Sequence, residues 1–313
     1  MENMNLLEYM NQATALMGQE KYDAAITFLE KAENEDKFNI DVYITKGVAY
    51  ANLNEFDKAR VEFEKALKVN KKEGVVYFHL GNIEMLLGNK AKGIELYNNA
   101  IANGFDDAQV YFSLGLMHEE EGNDDLAVRN YSKAILKDAN RADVRIRKIR
   151  LFIKNQHFQE ALQALDELIL SNPDVFEGYH LKYLVLASLE KFDEASDVLS
   201  TAMLMFPKDT AFAIDKASLM ITKKEYKQAI EYLHSIKNTI NGEVSALKGK
   251  IDEITANWEG SAQSSFIDTF DNNMYPILKD TLPEVITGIA AQLDGAADAI
   301  EQADAEVAKA FKG

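Results

Sequence analysis

The segment Phe56-Asp57-Lys58-Ala59-Arg60 contains an alanine that recurs along the chain at intervals of 34 residues. Each step of this length meets a small residue, without a gap or an insertion. The series consists of Ala25, Ala59, Gly93, Ala127, Ala161, Ala195 and Ala229. A fixed period of this length is the sequence signature of a protein built from stacked repeats.

Other positions of the repeat keep their character in the same phase. Large residues stand four positions after the small series, at Leu29, Phe63, Tyr97, Tyr131, Leu165, Leu199 and Leu233. Twelve positions before the small series stand Ala13, Gly47, Gly81, Gly115, Ile149, Tyr183 and Ala217. This order predicts two antiparallel amphipathic helices per repeat, with small residues where the helix axes come closest. Because Ile149 and Tyr183 are bulky, we expect a local change in helix packing in the fifth and sixth repeats.

The period, the order of small and aromatic residues, and pairs such as Leu80-Gly81 and Leu114-Gly115 resemble the tetratricopeptide repeat (TPR) family. Pro173 and Pro207 also stand where that family ends its repeats. The resemblance covers residues 6 to 243, about seven repeats. It implies an all-α fold, a right-handed superhelix of helix–turn–helix repeats, and a non-enzymatic scaffold for protein–protein interaction.

The charge and the residue composition of the chain argue against several classes of function. The net charge of −17 disfavours general binding to nucleic acid or to anionic membrane surfaces, and no cysteine is present. No apolar run is long enough for a membrane span, and the start Met1-Glu2-Asn3-Met4-Asn5 does not resemble a signal peptide. We therefore expect a cytoplasmic protein, or one exported without a signal peptide.

No active site is predicted from the sequence. The histidines are scattered, with no two at helical i, i+4 spacing, at His79, His118, His157, His180 and His234. Neither a metal-ligand set, nor a Gly-rich phosphate loop, nor a Gly-x-Ser-x-Gly elbow occurs. We expect no catalysis, no cofactor and no metal.

The TPR resemblance implies that the first helix of each repeat lines a concave groove. The residues expected to face this groove are Ile44, Phe78, Asn82, Met85, Phe112, Leu116, Ile146, Arg150, Leu184 and Ile221. Phe78 and Phe112, one repeat apart, should stand side by side near Met85. Such a groove suits an extended peptide or an amphipathic helix as the partner. The alternative is that these residues pack between neighbouring repeats.

One stretch departs from the acidic balance of the chain. Its basic residues are Arg141, Arg145, Arg147, Lys148, Arg150 and Lys154. Arg147 and Arg150 fall near the predicted groove, where they could clamp an acidic partner helix or a terminal carboxylate. The alternative is a solvated helix face with local ion pairs.

The repeat phase fails after residue 257, which predicts a repeat domain over residues 1–243 and a helical hairpin over residues 244–313. The first arm is the amphipathic segment 244–257, the turn is Trp258-Glu259-Gly260, and the second arm follows. Pro276 and Pro283 are expected to kink or break the second arm.

The run from Ile254 through Trp258-Glu259-Gly260 to Ala262, followed by Phe266 and Phe270, resembles the Trp-x-Gly family exported by bacterial type VII secretion. Ile300 and Asp304 occupy the spacing of that family's export motif, with Ile in place of Tyr. The resemblance implies self-association, because family members pair into four-helix bundles. The first arm reaches the family's length if the last repeat helix, near Tyr226 to Ile240, contributes to it.

Three functions remain open at this stage. The chain could be an adaptor or substrate linked to type VII secretion. It could be a cytosolic scaffold whose hairpin only caps the last repeat. It could also be a regulator that senses peptides through Phe78 and Phe112.

Overall fold

A computed structural model describes residues 5–207, 209–256 and 261–310, none of which lies in a β-strand. The helices form two compact units, Met1–His157 and Phe158–Gly313, named here the first and second units. The predicted fold class, all-α helix–turn–helix repeats followed by a helical hairpin, is confirmed. The described helices include none that is both long enough and apolar enough to cross a membrane.

The first unit contains four repeats and the first helix of the fifth. Its helices are α1 Leu6–Met17, α2 Tyr22–Glu35, α3 Ile40–Asn52, α4 Phe56–Val69, α5 Gly74–Leu86, α6 Lys90–Ala102, α7 Ala108–Glu120, α8 Asp124–Lys137 and α9 Ala142–Lys154. The chain enters α1 through a capping box, in which Asn5 and Glu8 bond each other's backbone N–H. Odd-numbered helices are thus the first helix of each repeat, and even-numbered helices are the second.

Within each repeat the turn between the two helices needs one residue in the left-handed region. Positive φ angles recur every 34 residues, at Glu20, Asn54, Gly88, Gly122, Gln156, Glu190 and Lys224. Only two of these positions are glycine, although an L-residue pays a steric cost in this region. The turn geometry is therefore imposed by the packing of the two helices and not by local preference.

Packing within the first-unit repeats depends on glycine. A Cβ placed on Gly47 would lie 2.6 Å from the Phe63 ring, and a Cβ on Gly81 would lie 2.7 Å from the Tyr97 ring. A Cβ on Gly115 would overlap the ring of Tyr131. Each aromatic ring of the second helix therefore fills the space that glycine leaves on the first. In the fifth repeat the same position holds Ile149, and the division between the two units falls inside that repeat.

The close contact between helix and ring predicts a specific sensitivity. Changing Gly115 to Ala should lower the free energy of unfolding by about 1–3 kcal/mol, because the tightly packed Tyr131 ring must move. Native-state hydrogen exchange of the α7 and α8 amides measures this. Gly18→Ala is the matched control, since its Cβ would meet the nearest atom at an ordinary 3.6 Å. Equal effects of the two changes would contradict the packing described.

The second unit begins with regular repeats and ends in the hairpin. Its helical segments are α10 Phe158–Ser171, α11 Phe176–Ser188, α12 Phe192–Met205, α13 Ala211–Thr222, α14 Tyr226–Ala256, α15 Ser261–Thr269, the π-helical turns π1 Phe270–Met274 and π2 Ile277–Thr281, and α16 Leu282–Ala310. The helix α14 is continuous for 31 residues. It is both the second helix of the seventh repeat and the first arm of the hairpin. The predicted domain boundary at residue 243 therefore lies inside this helix.

The second arm runs back along α14 towards the repeats. Near the tip the Gln263 side chain donates to the carbonyl oxygen of Thr255 at 2.6 Å. Further back Lys248 pairs with Asp271 at 3.0 Å. Where α16 lies beside the repeat part of α14, Lys237 donates to the hydroxyl of Thr287 at 2.8 Å. These contacts define an antiparallel hairpin.

An apolar cluster joins the hairpin to the last repeat. It consists of Ala217 from α13, Leu233, Ile236, Ile240 and Val244 from α14, and Ile286 and Ala290 from α16. Burial of this surface is the main force that holds α16 in place. The second arm therefore covers the apolar face that the last repeat would otherwise expose.

The two prolines of the second arm do not break it. Of the two expected outcomes, a kink or a break, the break does not occur, because the chain stays helical on both sides of Pro276 and Pro283. Proline lacks the N–H that closes a helical turn, and its ring crowds the carbonyl four residues back. The wider π-helical turns π1 and π2 flank Pro276 and make room for it. Pro283 follows π2 by two residues, so a wider turn also precedes this proline.

Candidate protein-binding groove and hairpin face

The first helices α3, α5, α7 and α9 carry most of the residues predicted for the groove. Half-buried positions, with part of the side chain open to solvent, are Ile44, Asn82, Met85, Phe112, Leu116 and Ile146. Arg147 and Arg150 of α9 are exposed. In the second unit Leu184 is exposed and Ile221 is half-buried.

Phe78 does not lie at the groove surface, which corrects the expectation of two neighbouring groove phenylalanines. Its side chain is only 3% exposed, and its ring centre lies 5.0 Å from that of Phe105 and 5.8 Å from that of Tyr97. Burial of an aromatic ring among others is favoured over exposure. Phe112 keeps one edge in the groove, with its ring beneath the Arg141 guanidinium at 4.6 Å.

Two tyrosine hydroxyl groups of the second helices bond side chains of the first helices. The Tyr97 ring lies against Gly81, and its hydroxyl donates to the side-chain oxygen of Asn82 at 2.7 Å. Burial raises the pKa of Tyr97 to about 12. With its oxygen engaged, Asn82 keeps two N–H donors for other partners.

In the next repeat Tyr131 takes the place of Tyr97, and the side chains around its hydroxyl group are charged. Tyr131 is fully buried, and its hydroxyl donates to the carboxylate of Glu119. Burial and the Glu119 charge hold the pKa of Tyr131 well above its usual range. The same carboxylate lies 3.5 Å from the guanidinium of Arg147 on α9. Side chains of three helices, α7, α8 and α9, thus meet in one polar cluster.

One repeat before Tyr97 the equivalent aromatic residue, Phe63, has no hydroxyl group. Phe63 stacks on His79 of α5 with the ring centres 5.4 Å apart. Burial lowers the pKa of His79 to about 4. Sequence reasoning treated these second-helix aromatics as packing residues only. The sequence feature that indicates this role of Tyr97 and Tyr131 is a tyrosine paired with a glycine on the facing helix. The glycine leaves room for the ring, so the hydroxyl group can extend past the first helix.

The neutral state of His79 predicts how stability depends on pH. Between about pH 4 and 6.5 the unfolded chain binds a proton that the folded chain excludes, so stability falls as the pH drops through 6.5. From about pH 7 to pH 5 this costs about 2 kcal/mol. A His79→Phe variant should lose that much less than the unchanged protein in urea unfolding at the two pH values. An identical pH dependence in both proteins would count against a buried neutral histidine.

Most of the basic stretch is engaged locally, as the second interpretation expected. Arg141 donates two hydrogen bonds to Asp143, at 2.8 and 2.7 Å. Lys154 pairs with Asp124 at 2.8 Å. Arg145 donates to the carbonyl oxygen of Ala139 at 3.2 Å. Lys148 lies over the Phe152 ring, 5.5 Å from its centre. Arg147 contacts Glu119 of the neighbouring repeat, 3.5 Å away.

The hairpin carries an apolar face that α14 does not cover. Side chains between 40% and 68% exposed occur on both arms, at Leu247, Ile254, Phe266, Met274, Ile277, Leu282, Val285 and Ile289. On α16 the spacing of Leu282, Val285 and Ile289 places these three on one side of the helix. Phe270, Ile286 and Ala290 form the buried side of the same arm. These exposed residues are named here the hairpin face.

Several predicted hairpin residues lie at the limits of the description. Trp258 and Gly260, the predicted turn, lie outside the described residues. Ile300 and Asp304, the export-like pair, lie in α16, where only their helical backbone is described. Among the residues that the structure does describe, no group of three or more His, Asp or Glu is placed to hold a metal ion.

Two family models match separate parts of the chain. Residues 16–73 match a tetratricopeptide repeat model, and residues 218–305 match the WXG100 model of proteins of 100 residues with WXG. No curated protein matches the sequence. The second match starts within α13 and includes all of α14, as expected if the last repeat helix supplies part of the first arm.

Solved structures show the same fold. The C-terminal part of a TPR repeat-containing protein from Cytophaga hutchinsonii is 18% identical, with 72% of this chain and 93% of that chain covered at a TM-score of 0.61. Pseudomonas aeruginosa pilF is 16% identical, with 68% and 96% covered at a TM-score of 0.52. Both resemblances seen in the sequence are thereby confirmed: the chain carries tetratricopeptide repeats followed by a segment similar to WXG100 proteins.

Proposed function

We propose that the protein is a non-enzymatic scaffold with two protein-binding surfaces, the groove of the first unit and the hairpin face of the second. The observation that carries the proposal is the presence of both surfaces in a repeat fold. Half-buried apolar side chains line one, and exposed apolar side chains line the other. Apolar surfaces of this extent typically mark binding sites for other proteins.

The groove is suited to an extended peptide or a partner helix. Met85, Phe112 and Leu116 offer apolar contacts that are open on one side. Asn82 offers amide donors whose direction is fixed by Tyr97. Peptide recognition typically combines apolar contacts for side chains with hydrogen-bond donors that are oriented towards the peptide backbone.

Selection from a displayed library of random dodecapeptides tests the groove. Peptides that bind the full-length protein should bind the Phe112→Ala variant at least about tenfold more weakly, because an aromatic anchor contributes more than about 1 kcal/mol. Phe38→Ala is the matched control, because Phe38 is 80% exposed and lies on the loop between α2 and α3. If no peptide is enriched, or if both variants bind equally well, the groove is not the binding site.

The hairpin face is proposed to pair with a second helical hairpin, either in another copy of this chain or in a WXG100-type protein. The exposed row on α16 continues along π2, where Ile277 is 58% exposed. An apolar row along a two-helix hairpin becomes buried when two more helices pack against it and complete a four-helix bundle. The match of residues 218–305 to the WXG100 model supports this mode of pairing.

Sedimentation velocity over a range of protein concentrations tests the pairing. A Val285→Asp, Ile289→Asp double variant should stay monomeric at concentrations where the unchanged protein associates, because two charges would be buried without partners. Ala291→Asp is the control, since Ala291 is exposed on α16 and lines the cleft beside Lys237. A strictly monomeric unchanged protein would contradict self-association.

A link to bacterial type VII secretion is the finer part of the proposal, with a cytoplasmic protein that the system recognises or exports. Its support is the WXG100 match together with the spacing of Ile300 and Asp304. An export assay in a bacterium with such a system, comparing the chain with an Ile300→Ala, Asp304→Ala variant, tests it. A secretion-dependent signal that the variant loses is expected. Absence of the unchanged protein from the medium would leave only the scaffold.

A second candidate is a cytosolic scaffold or peptide-sensing regulator in which the hairpin serves only as a cap. The observation in its favour is the packing of Ile286 and Ala290 on Ile236 and Ile240 of the last repeat. Truncation at residue 243 would cut α14 and expose this cluster, so it cannot separate the candidates. The hairpin-face double variant can, because it leaves the buried cluster intact: lost partner binding at unchanged thermal stability argues against a cap alone.

A further inference from the structure

The wall of the groove changes character between α7 and α9. Neither α5 nor α7 contains a lysine or arginine, and both present apolar residues to the groove. In contrast α9, Ala142–Lys154, carries five basic residues and one acidic residue. In a chain with a net charge of −17, this is a local reversal of sign at one side of a ligand groove.

Arg147 is the groove arginine of α9 whose position the structure fixes. Its side chain is 44% exposed, and its Nη1 lies 3.5 Å from Glu119 on α7. Glu119 in turn accepts from the hydroxyl of Tyr131, whose ring is buried against Gly115. A rigid aromatic ring thus holds a carboxylate, and the carboxylate holds a guanidinium at the mouth of the groove.

The contact with Glu119 leaves most of the N–H donors of Arg147 available for a ligand. A guanidinium has five N–H donors in a planar fork, and the contact with Glu119 occupies one edge at a long distance. A carboxylate from a ligand can take two parallel hydrogen bonds from such a fork. The excess of basic over acidic residues on α9 adds to the attraction.

Arg141 and Lys154, at the two ends of this stretch, have closer partners than Arg147 has in Glu119. Arg141 makes two short bonds to Asp143 and covers the Phe112 ring. Lys154 is held by Asp124 across the turn of the fourth repeat. Their charges are therefore largely balanced where they lie. The contact of Arg147 with Glu119 is longer, at 3.5 Å, and the Arg147 side chain is 44% exposed.

We propose that Arg147 selects an acidic side chain in the groove ligand, and that Glu119 and Tyr131 act as positioning residues for it. The ligand is an extended peptide segment in which an Asp or Glu is flanked by apolar residues. The apolar residues pack on Phe112, Leu116 and Ile146, and the carboxylate bonds the guanidinium of Arg147. This inference rests on the proposed groove function and adds its specificity.

Peptide selection on two forms of the full-length protein tests the inference. Random dodecapeptides selected on the unchanged protein should be enriched in Asp or Glu beside apolar residues, and those selected on Arg147→Gln should not. For one selected peptide, replacing its acid with the neutral amide should weaken binding to the unchanged protein by about tenfold or more. The Arg147→Gln variant should bind both peptides alike. Arg147→Lys should restore part of the discrimination, since it keeps the charge but not the fork.

Tyr131→Phe tests the positioning role. The change keeps the ring against Gly115 and removes only the hydroxyl, so the affinity for the neutral peptide should stay the same while the acid-to-amide ratio falls. High salt should reduce that ratio as well. Selected peptides without acidic enrichment, or an unchanged ratio in Arg147→Gln, would overturn this inference and leave the groove function standing. Failure to select any peptide would overturn both.

Discussion

Every repeat depends on the close approach of two helices at a small residue. Each member of the 34-residue series in the second helices is buried, and all six alanines in it have no exposed surface. In the first unit a glycine on the first helix allows a still closer contact with an aromatic ring. In an interior packed this tightly, adding or removing one methyl group displaces the neighbouring residues. The same contact brings the hydroxyl groups of Tyr97 and Tyr131 to Asn82 and Glu119 of the first helices, so the packing also positions polar side chains there.

The last member of the series, Ala229, lies in a helix that does not stop where the repeat would end. Because α14 continues to Ala256, the hairpin inherits its direction from the seventh repeat. The buried side of α16 then covers that repeat, and its other side remains open. One side of this arm covers the last repeat, and the proposed partner-binding residues lie on its other side, so the two roles are compatible.

The sequence predicted the helices, the repeat phase and the hairpin because a 34-residue series of small residues leaves few alternatives. It could not predict where each groove residue points. Phe78 and Phe112 occupy equivalent positions, yet Phe105 and Tyr97 bury the first while Arg141 covers the second. The Tyr131–Glu119–Arg147 cluster draws on three helices and follows from no short motif. Rotamers and ion pairs of this kind depend on tertiary contacts that periodicity does not encode.

The account makes the hairpin an extension of the repeat array, built on one unbroken helix. Hydrogen–deuterium exchange of the full-length protein, resolved along α14, tests this most directly. The account predicts that amides from Ile240 to Leu247 are protected to a degree similar to those from Ala229 to Ile236, because both stretches belong to the same helix. Rapid exchange confined to the region around residue 243, between two protected segments, would contradict it and would show a hairpin joined by a flexible linker.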